Sequence, residues 1–353
     1  MSGTPANAPI KFWLVMGRAA ILSYFSNRTL LPMPPRQKLL LLLASARVAN
    51  LPSVVSNVWL GVALGVLVAA RWPPPSPWSA ATLLAVSAML LYVSGNFFND
   101  WHDRHWDAQH RPERGLPRGV FTPALYLGLA IVCSTLGVAL AWWSGPGCAL
   151  VAAAIVLCMV SYTRWHKQTP EAVLLLGMCR ALLPLLFFIE WPLGCAKPNL
   201  THAMAETRLE IMVIAPHALA LLFYVTGLSW IARGEAKAAP PRTSRWHAYF
   251  LLVLAGFFMA SWYVPTVPKF GLLGLLPFGL WLGLCFTRFA KSPREQISAL
   301  LAGIPLLDWV ALLPLSLSMI NHGQSTPLAL TCLFLPPLAF IAGRLLQRLA
   351  AAT

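Results

Sequence analysis

The sequence predicts an all-α protein that crosses a membrane many times, and three observations carry that reading. Only 10% of its residues are charged and its mean hydropathy is +0.66, whereas a soluble domain carries about 25% charged residues. Apolar stretches long enough to cross about 30 Å of hydrocarbon as helices recur along the chain, and none shows the two-residue alternation of a barrel strand. Laying ten spans along the sequence puts 21 of the 26 Lys and Arg on one side and four on the other, with Arg180 inside a span. By the positive-inside rule the rich side is cytoplasmic, and so are both termini. The formal charge of +15 is thereby explained as topology. No basic recognition helix or stacking motif argues for nucleic acid.

The elements follow in order. Residues 1–45 hold an apolar patch from Phe12 to Phe25, interrupted by Arg18 and bounded by Pro32-Met33-Pro34-Pro35. They read as an interfacial or disordered extension, without the small-residue cleavage pattern of a signal peptide. The spans are expected near 48–70, 78–98, 121–143, 146–163, 171–192, 211–231, 247–264, 270–288, 297–320 and 327–346. Most of the seven cysteines fall inside spans, with no metal-ligand spacing, and read as small apolar residues.

The second span ends in Asn99-Asp100-Trp101-His102-Asp103-Arg104-His105-Trp106-Asp107, which holds three of the four aspartates in the chain. The i, i+3, i+7 spacing of Asp100, Asp103 and Asp107 puts them on one helix face. Carboxylates so crowded repel unless a cation sits among them, and a divalent metal serving a phosphorylated substrate is the usual reason. A solvated loop is the plainer reading. Next comes Arg111-Pro112-Glu113-Arg114-Gly115-Leu116-Pro117-Arg118-Gly119, a turn carrying three guanidinium groups, whose planar forks suit phosphate oxygens. The following loop, Tyr162-Thr163-Arg164-Trp165-His166-Lys167, adds two cations, and Arg180 lies about two turns inside the next span. A buried arginine in lipid normally faces the bundle interior or a watery cavity, although Arg164 and Lys167 can equally be boundary anchors. Acids with convergent cations form the pattern of a metal–diphosphate site, with carboxylates on Mg²⁺ and with Mg²⁺, Arg and Lys on the diphosphate. Asp308 is the one aspartate within a span, hence a functional candidate that would act on an acceptor, or else a hydrogen-bonded structural group.

The string Asn99-Asp100-x-x-Asp103-x-x-x-Asp107, followed by Arg111-Pro112 and Leu116-Pro117-x-Gly119, resembles the first motif of the UbiA superfamily of intramembrane prenyltransferases. Arg47-Val48-Ala49-Asn50-Leu51-Pro52-Ser53, with Asn57 beyond it, is similar to the family's first span, where a buried asparagine faces the active site. Tyr162 with Lys167, and Arg180, resemble its later diphosphate-contacting positions. The resemblance covers residues 45–320 and implies nine to ten transmembrane helices around a central cavity under a cytoplasmic cap. It divides the chain into the extension 1–45, a UbiA-like domain 46–320, and an extra C-terminal helix and tail, 321–353. It also implies a Mg²⁺-assisted transfer of an isoprenyl group from a prenyl diphosphate to an aromatic or other lipophilic acceptor. Asp100, Asp103 and Asp107 would hold metal, and Lys167 and Asp308 would join them in catalysis. Asn57, Asn99, Arg111, Arg114, Arg118, Tyr162, Arg164 and Arg180 would bind substrate. The family's second aspartate motif, after the sixth span, is replaced by Arg233-Gly234-Glu235-Ala236-Lys237. Arg233 and Lys237 are therefore expected to contact the diphosphate directly, with Glu235 orienting one of them or completing the metal shell. The expected location is a bacterial inner (plasma) membrane with the aspartates facing the cytoplasm. The alternative is a non-catalytic relative that binds or helps export a lipophilic molecule. The DGxxAR run of CDP-alcohol phosphotransferases is absent, as are P-loop and Rossmann fingerprints.

Overall fold

A computed structural model of the protein describes residues 33–68, 78–190, 200–235, 242–323 and 326–349. It divides into a unit Met1–Leu39, of which residues 33–39 are described, and a unit Leu40–Thr353. The expected extension 1–45 thus lies mostly outside the described residues. Every regular element among the described residues is helical, as lipid demands of an open chain whose backbone polar groups must be satisfied within each segment.

Helix α1 (Pro35–Ser45) and a 3₁₀ turn (Val48–Asn50) lead into α2 (Leu51–Val68). Next come α3 (Trp78–His102), the short α4 (Arg104–His110), α5 (Pro123–Ser144), α6 (Pro146–Trp165) and α7 (Val173–Phe188). The remainder is α8 (Leu200–Glu235), α9 (Arg242–Ala260), α10 (Tyr263–Thr266), α11 (Leu275–Phe286), α12 (Pro293–Asn321) and α13 (Pro327–Leu349). Nine stretches among the described residues are long and apolar enough to cross a membrane, and the chain is a multi-pass membrane protein. Helices α2 and α12 form the interior of the bundle, whereas α5, α6 and α13 expose most of their residues on its outside. Pairs of helices meet through small residues and hydroxyls. Ser87 and Ser94 of α3 donate to the Gly137 and Ala130 carbonyls of α5, each at 2.7 Å.

Two features differ from the sequence expectation. The segment 270–288 is not a full-length crossing helix. Its helix, α11, covers only 12 residues, about 18 Å at 1.5 Å per residue. Pro265, Pro268, Gly271 and Gly274 break the preceding stretch into turns. Gly271 packs on the Tyr263 backbone and Gly274 on that of Val310, where an added Cβ would come within 2.5 Å. The hairpin therefore turns beside Val310, while α12 continues to Asn321. The second difference is that the aspartates do not share one unbroken helix. Helix α3 stops at His102 and α4 begins at Arg104, with Asp103 at the joint. Backbone bonds Asp103 N–H to Asn99 O (2.9 Å) and Asp107 N–H to Asp103 O (2.8 Å) keep the two axes linked.

Candidate active site

The joint at Asp103 splits the three carboxylates between two partner sets, and all three are buried. Asp100 and Asp107 turn toward the loop after α4. There a single nitrogen, Nη1 of Arg114, donates to Asp100 Oδ1 at 3.2 Å and to Asp107 Oδ2 at 2.8 Å. Arg47 approaches the same Asp100 oxygen with Nη2 at 3.6 Å and uses Nη1 to donate to Asn96 Oδ1 at 2.8 Å. Asp103 turns instead to the end of α6, with Lys167 Nζ 2.5 Å from Oδ1 and His166 Nε2 3.2 Å from Oδ2. His102 Nδ1 is 3.3 Å from Oδ1. Burial pulls the Asp103 carboxyl up, but the hydrogen bonds from His166 and Lys167 outweigh it and hold its pKa well below the usual carboxylate range. Arg233, arriving from α8, donates to the His166 carbonyl. Four helices thus converge on the aspartates at the arginine-rich end of the bundle.

A second polar cluster lies deeper. Asp308 of α12 is fully buried, accepting from Ser56 Oγ (2.5 Å) and from Asn57 Nδ2 on both oxygens (3.0 and 2.8 Å). Asn57 returns its own oxygen to Arg180 Nη1 at 2.9 Å. The Arg180 guanidinium lies over the Tyr92 ring, 5.1 Å from its centroid, and Asn50 Nδ2 donates to the Tyr92 hydroxyl at 2.9 Å. Asn57 lies about two to three helical turns further along the chain than Arg47, and Asn50 with Tyr92 stands next to Arg180 in this cluster.

The sequence candidates therefore fall into groups. Asp100, Asp103, Asp107, Arg114, Lys167 and Arg233 come together, and Asn57, Arg180 and Asp308 form the deeper cluster. Tyr162 stacks on His166, with ring centroids 5.0 Å apart. Arg111 packs over Trp106 at 5.7 Å, and Lys167 approaches the same ring at 5.1 Å. Asn99 is half-buried, and its carbonyl accepts from the Asp103 N–H at 2.9 Å. Arg118 and Arg164 are exposed. Lys237 and the side chain of Glu235 lie outside the described residues. Sequence reasoning passed over Arg47, Ser56, Tyr92 and His166 as site residues. Two of them had a local signal: His166 is one helical turn from Tyr162 and beside Lys167, and Arg47 heads the string that resembles the family's first span. Arg47 carries a positive φ of 49°, alone among the described non-glycine residues, and such strain gathers at functional positions.

No three Asp, Glu, His or Cys side chains among the described residues are placed to hold a metal ion by themselves. Mg²⁺ rarely asks for such a cage. It takes one or two carboxylates and completes its shell with water and substrate phosphate, and Asp100, Asp103 and Asp107 fit it by donor chemistry.

A model described as the UbiA prenyltransferase family matches residues 58–307. The digeranylgeranylglyceryl phosphate synthase of Korarchaeum cryptofilum is 32% identical over 97 residues, which is 27% of this chain and 34% of that one. The enzyme of the same description from Methanoregula boonei is 30% identical over 127 residues, covering 36% of this chain and 41% of the relative. The chain therefore spans between 34% and 41% of the length of these curated relatives. The apo structure of a UbiA homolog from Aeropyrum pernix K1 shares the fold, with a TM-score of 0.50 over 86% of this chain and 98% of that one, at 14% identity.

Proposed function

The chain belongs to the UbiA prenyltransferase family, and from that premise we propose that it moves an isoprenyl group from a prenyl diphosphate to an aromatic or other lipophilic acceptor. The observation that carries the reading is the set of three buried carboxylates held against Arg47, Arg114 and Lys167 at one end of a lipid-embedded bundle. Burying so many charges is costly unless a ligand uses them. Asp100, Asp103 and Asp107 would hold Mg²⁺, which when bound neutralises charge developing on the departing diphosphate. Arg114, Lys167 and Arg233 grip the diphosphate oxygens, with Arg47, Arg111 and Arg118 around the mouth. The apolar interior below shelters the allylic cation from water until the acceptor attacks. Asp308 belongs to the deeper cluster with Ser56 and Asn57. In this reading it orients Asn57 and balances Arg180, which steadies the wall along which the isoprenyl chain lies. The domain carrying this chemistry is residues 46–320. The distribution of Lys and Arg supports an orientation with the aspartates cytoplasmic, in what this reading takes to be a bacterial inner membrane.

The test uses the full chain in lipid nanodiscs, radiolabelled prenyl diphosphates and lipid extract. A labelled product that requires Mg²⁺ and disappears in Asp103→Asn is expected. Arg233→Gln should weaken donor binding by about 2–5 kcal/mol if it contacts phosphate. Donor that binds but yields no product from any extract would favour the binding-protein alternative.

A further inference from the structure

On the reading just given, we infer that the site admits its divalent metal only together with the donor's diphosphate, because Arg114 stands as a tethered cation among the carboxylates that would take the metal. One nitrogen of Arg114 bridges Asp100 and Asp107, at 3.2 and 2.8 Å, which is the placement of a shared ion. Lys167 holds Asp103 at 2.5 Å and Arg47 supports Asp100 at 3.6 Å. Three carboxylates thus already face three cations, so their charge is balanced before any ligand arrives. A free divalent ion would leave the cluster with two surplus positive charges and would have to push a guanidinium off buried carboxylates. A diphosphate removes both obstacles. Its oxygens offer Arg114 and Lys167 equivalent charge-assisted bonds, which frees the carboxylates, and its own negative charge offsets the metal's.

The backbone holds Arg114 in place for this exchange. Arg114 N–H donates to Arg111 O at 3.2 Å and Arg118 N–H to Arg114 O at 3.1 Å. The turn closes at Gly119, whose φ of +71° suits glycine. Only the side chain is left to swing. By linkage, the factor by which donor tightens metal equals the factor by which metal tightens donor.

The sign of one substitution separates this from an ordinary metal site. The full chain in nanodiscs is dialysed against Mn²⁺, with and without farnesyl S-thiolodiphosphate, and bound metal is counted by mass spectrometry. The parent should bind Mn²⁺ at least tenfold more tightly with the analogue than without. Arg114→Gln should bind Mn²⁺ alone at least tenfold more tightly than the parent does, while its affinity for the analogue falls. An Arg114→Gln protein whose affinity for Mn²⁺ alone is unchanged or lower overturns the inference and leaves the prenyltransferase reading standing. Analogue that fails to bind the parent at any Mn²⁺ concentration overturns that reading itself. Should Arg114→Gln not fold, as judged by its melting curve, Arg114→Met carries the same test. It removes the tethered cation while keeping an unbranched side chain, so Mn²⁺ alone must again bind more tightly than in the parent.

Discussion

Asn57 has its two amide ends on opposite charges, nitrogen on Asp308 and oxygen on Arg180. That leaves one orientation of the amide consistent with the network. The arrangement separates a buried cation from a buried anion by one neutral side chain, and each protects the other from facing lipid alone. Asp308→Asn keeps the shape but leaves Arg180 without a counter-charge, and breaking such a buried set costs about 3–5 kcal/mol. Ser56→Ala removes one hydrogen bond and should cost about 1 kcal/mol. Thermal denaturation in detergent should therefore rank the parent above Ser56→Ala and Ser56→Ala well above Asp308→Asn. Equal melting of parent and Asp308→Asn would mean that the deep cluster carries no stabilising charge balance.

Helices α2 and α7 touch where α2 offers a glycine and α7 a proline. A Cβ on Gly61 would lie 2.0 Å from the Pro184 carbonyl oxygen, so the two backbones are in direct contact. Proline within α7 removes one ladder bond. Gly61 is one turn beyond Asn57 and Pro184 one turn beyond Arg180, so the close approach sets the distance between the two members of the deep cluster. Gly61→Ala must push α2 from α7, and the protein should melt at lower temperature and turn over more slowly. Gly128, on α5, has nothing within 4 Å of an added Cβ, and Gly128→Ala should leave both unchanged. If the two variants behave alike, the α2–α7 contact is not what holds the cluster.

The whole bundle sorts charge to one end. The aspartates, the 111–119 turn, the end of α6 and the end of α8 meet there, and the excess of Lys and Arg lies on the same side. In the orientation proposed here that end is cytoplasmic. On a cysteine-free background, Gln168→Cys and Lys291→Cys should resist an impermeant thiol reagent applied to intact cells, and Thr201→Cys should react. Labelling of Gln168→Cys from outside would invert the molecule and put its donor site on the wrong face for a cytoplasmic diphosphate. The short α11 changes the number of full-length spans without moving this end, because α9 and α11 return to the side they left from.

What the sequence alone determined was whatever depends on neighbours along the chain. Length of apolar run and scarcity of charge specify helices in lipid, and the crowding of Asp100, Asp103 and Asp107 marks the site. The nearness of Arg114 to Asp107 was legible for the same reason, since they are seven positions apart. The break at Asp103 was not legible, because the partners that Asp103 meets there, His166 and Lys167, come from the segment just after α6, more than 60 positions away. Likewise the Pro and Gly residues before Leu275 announced a turn, but only the fit of Gly274 against Val310 decided where it stops. Tertiary structure also decided that Asp308 belongs with Ser56 and Asn57, 252 and 251 positions away, and that Arg47 serves Asp100. Helical periodicity states which face a residue occupies. The partner of that face is chosen when helices pack, since a buried charge settles wherever the bundle supplies its opposite.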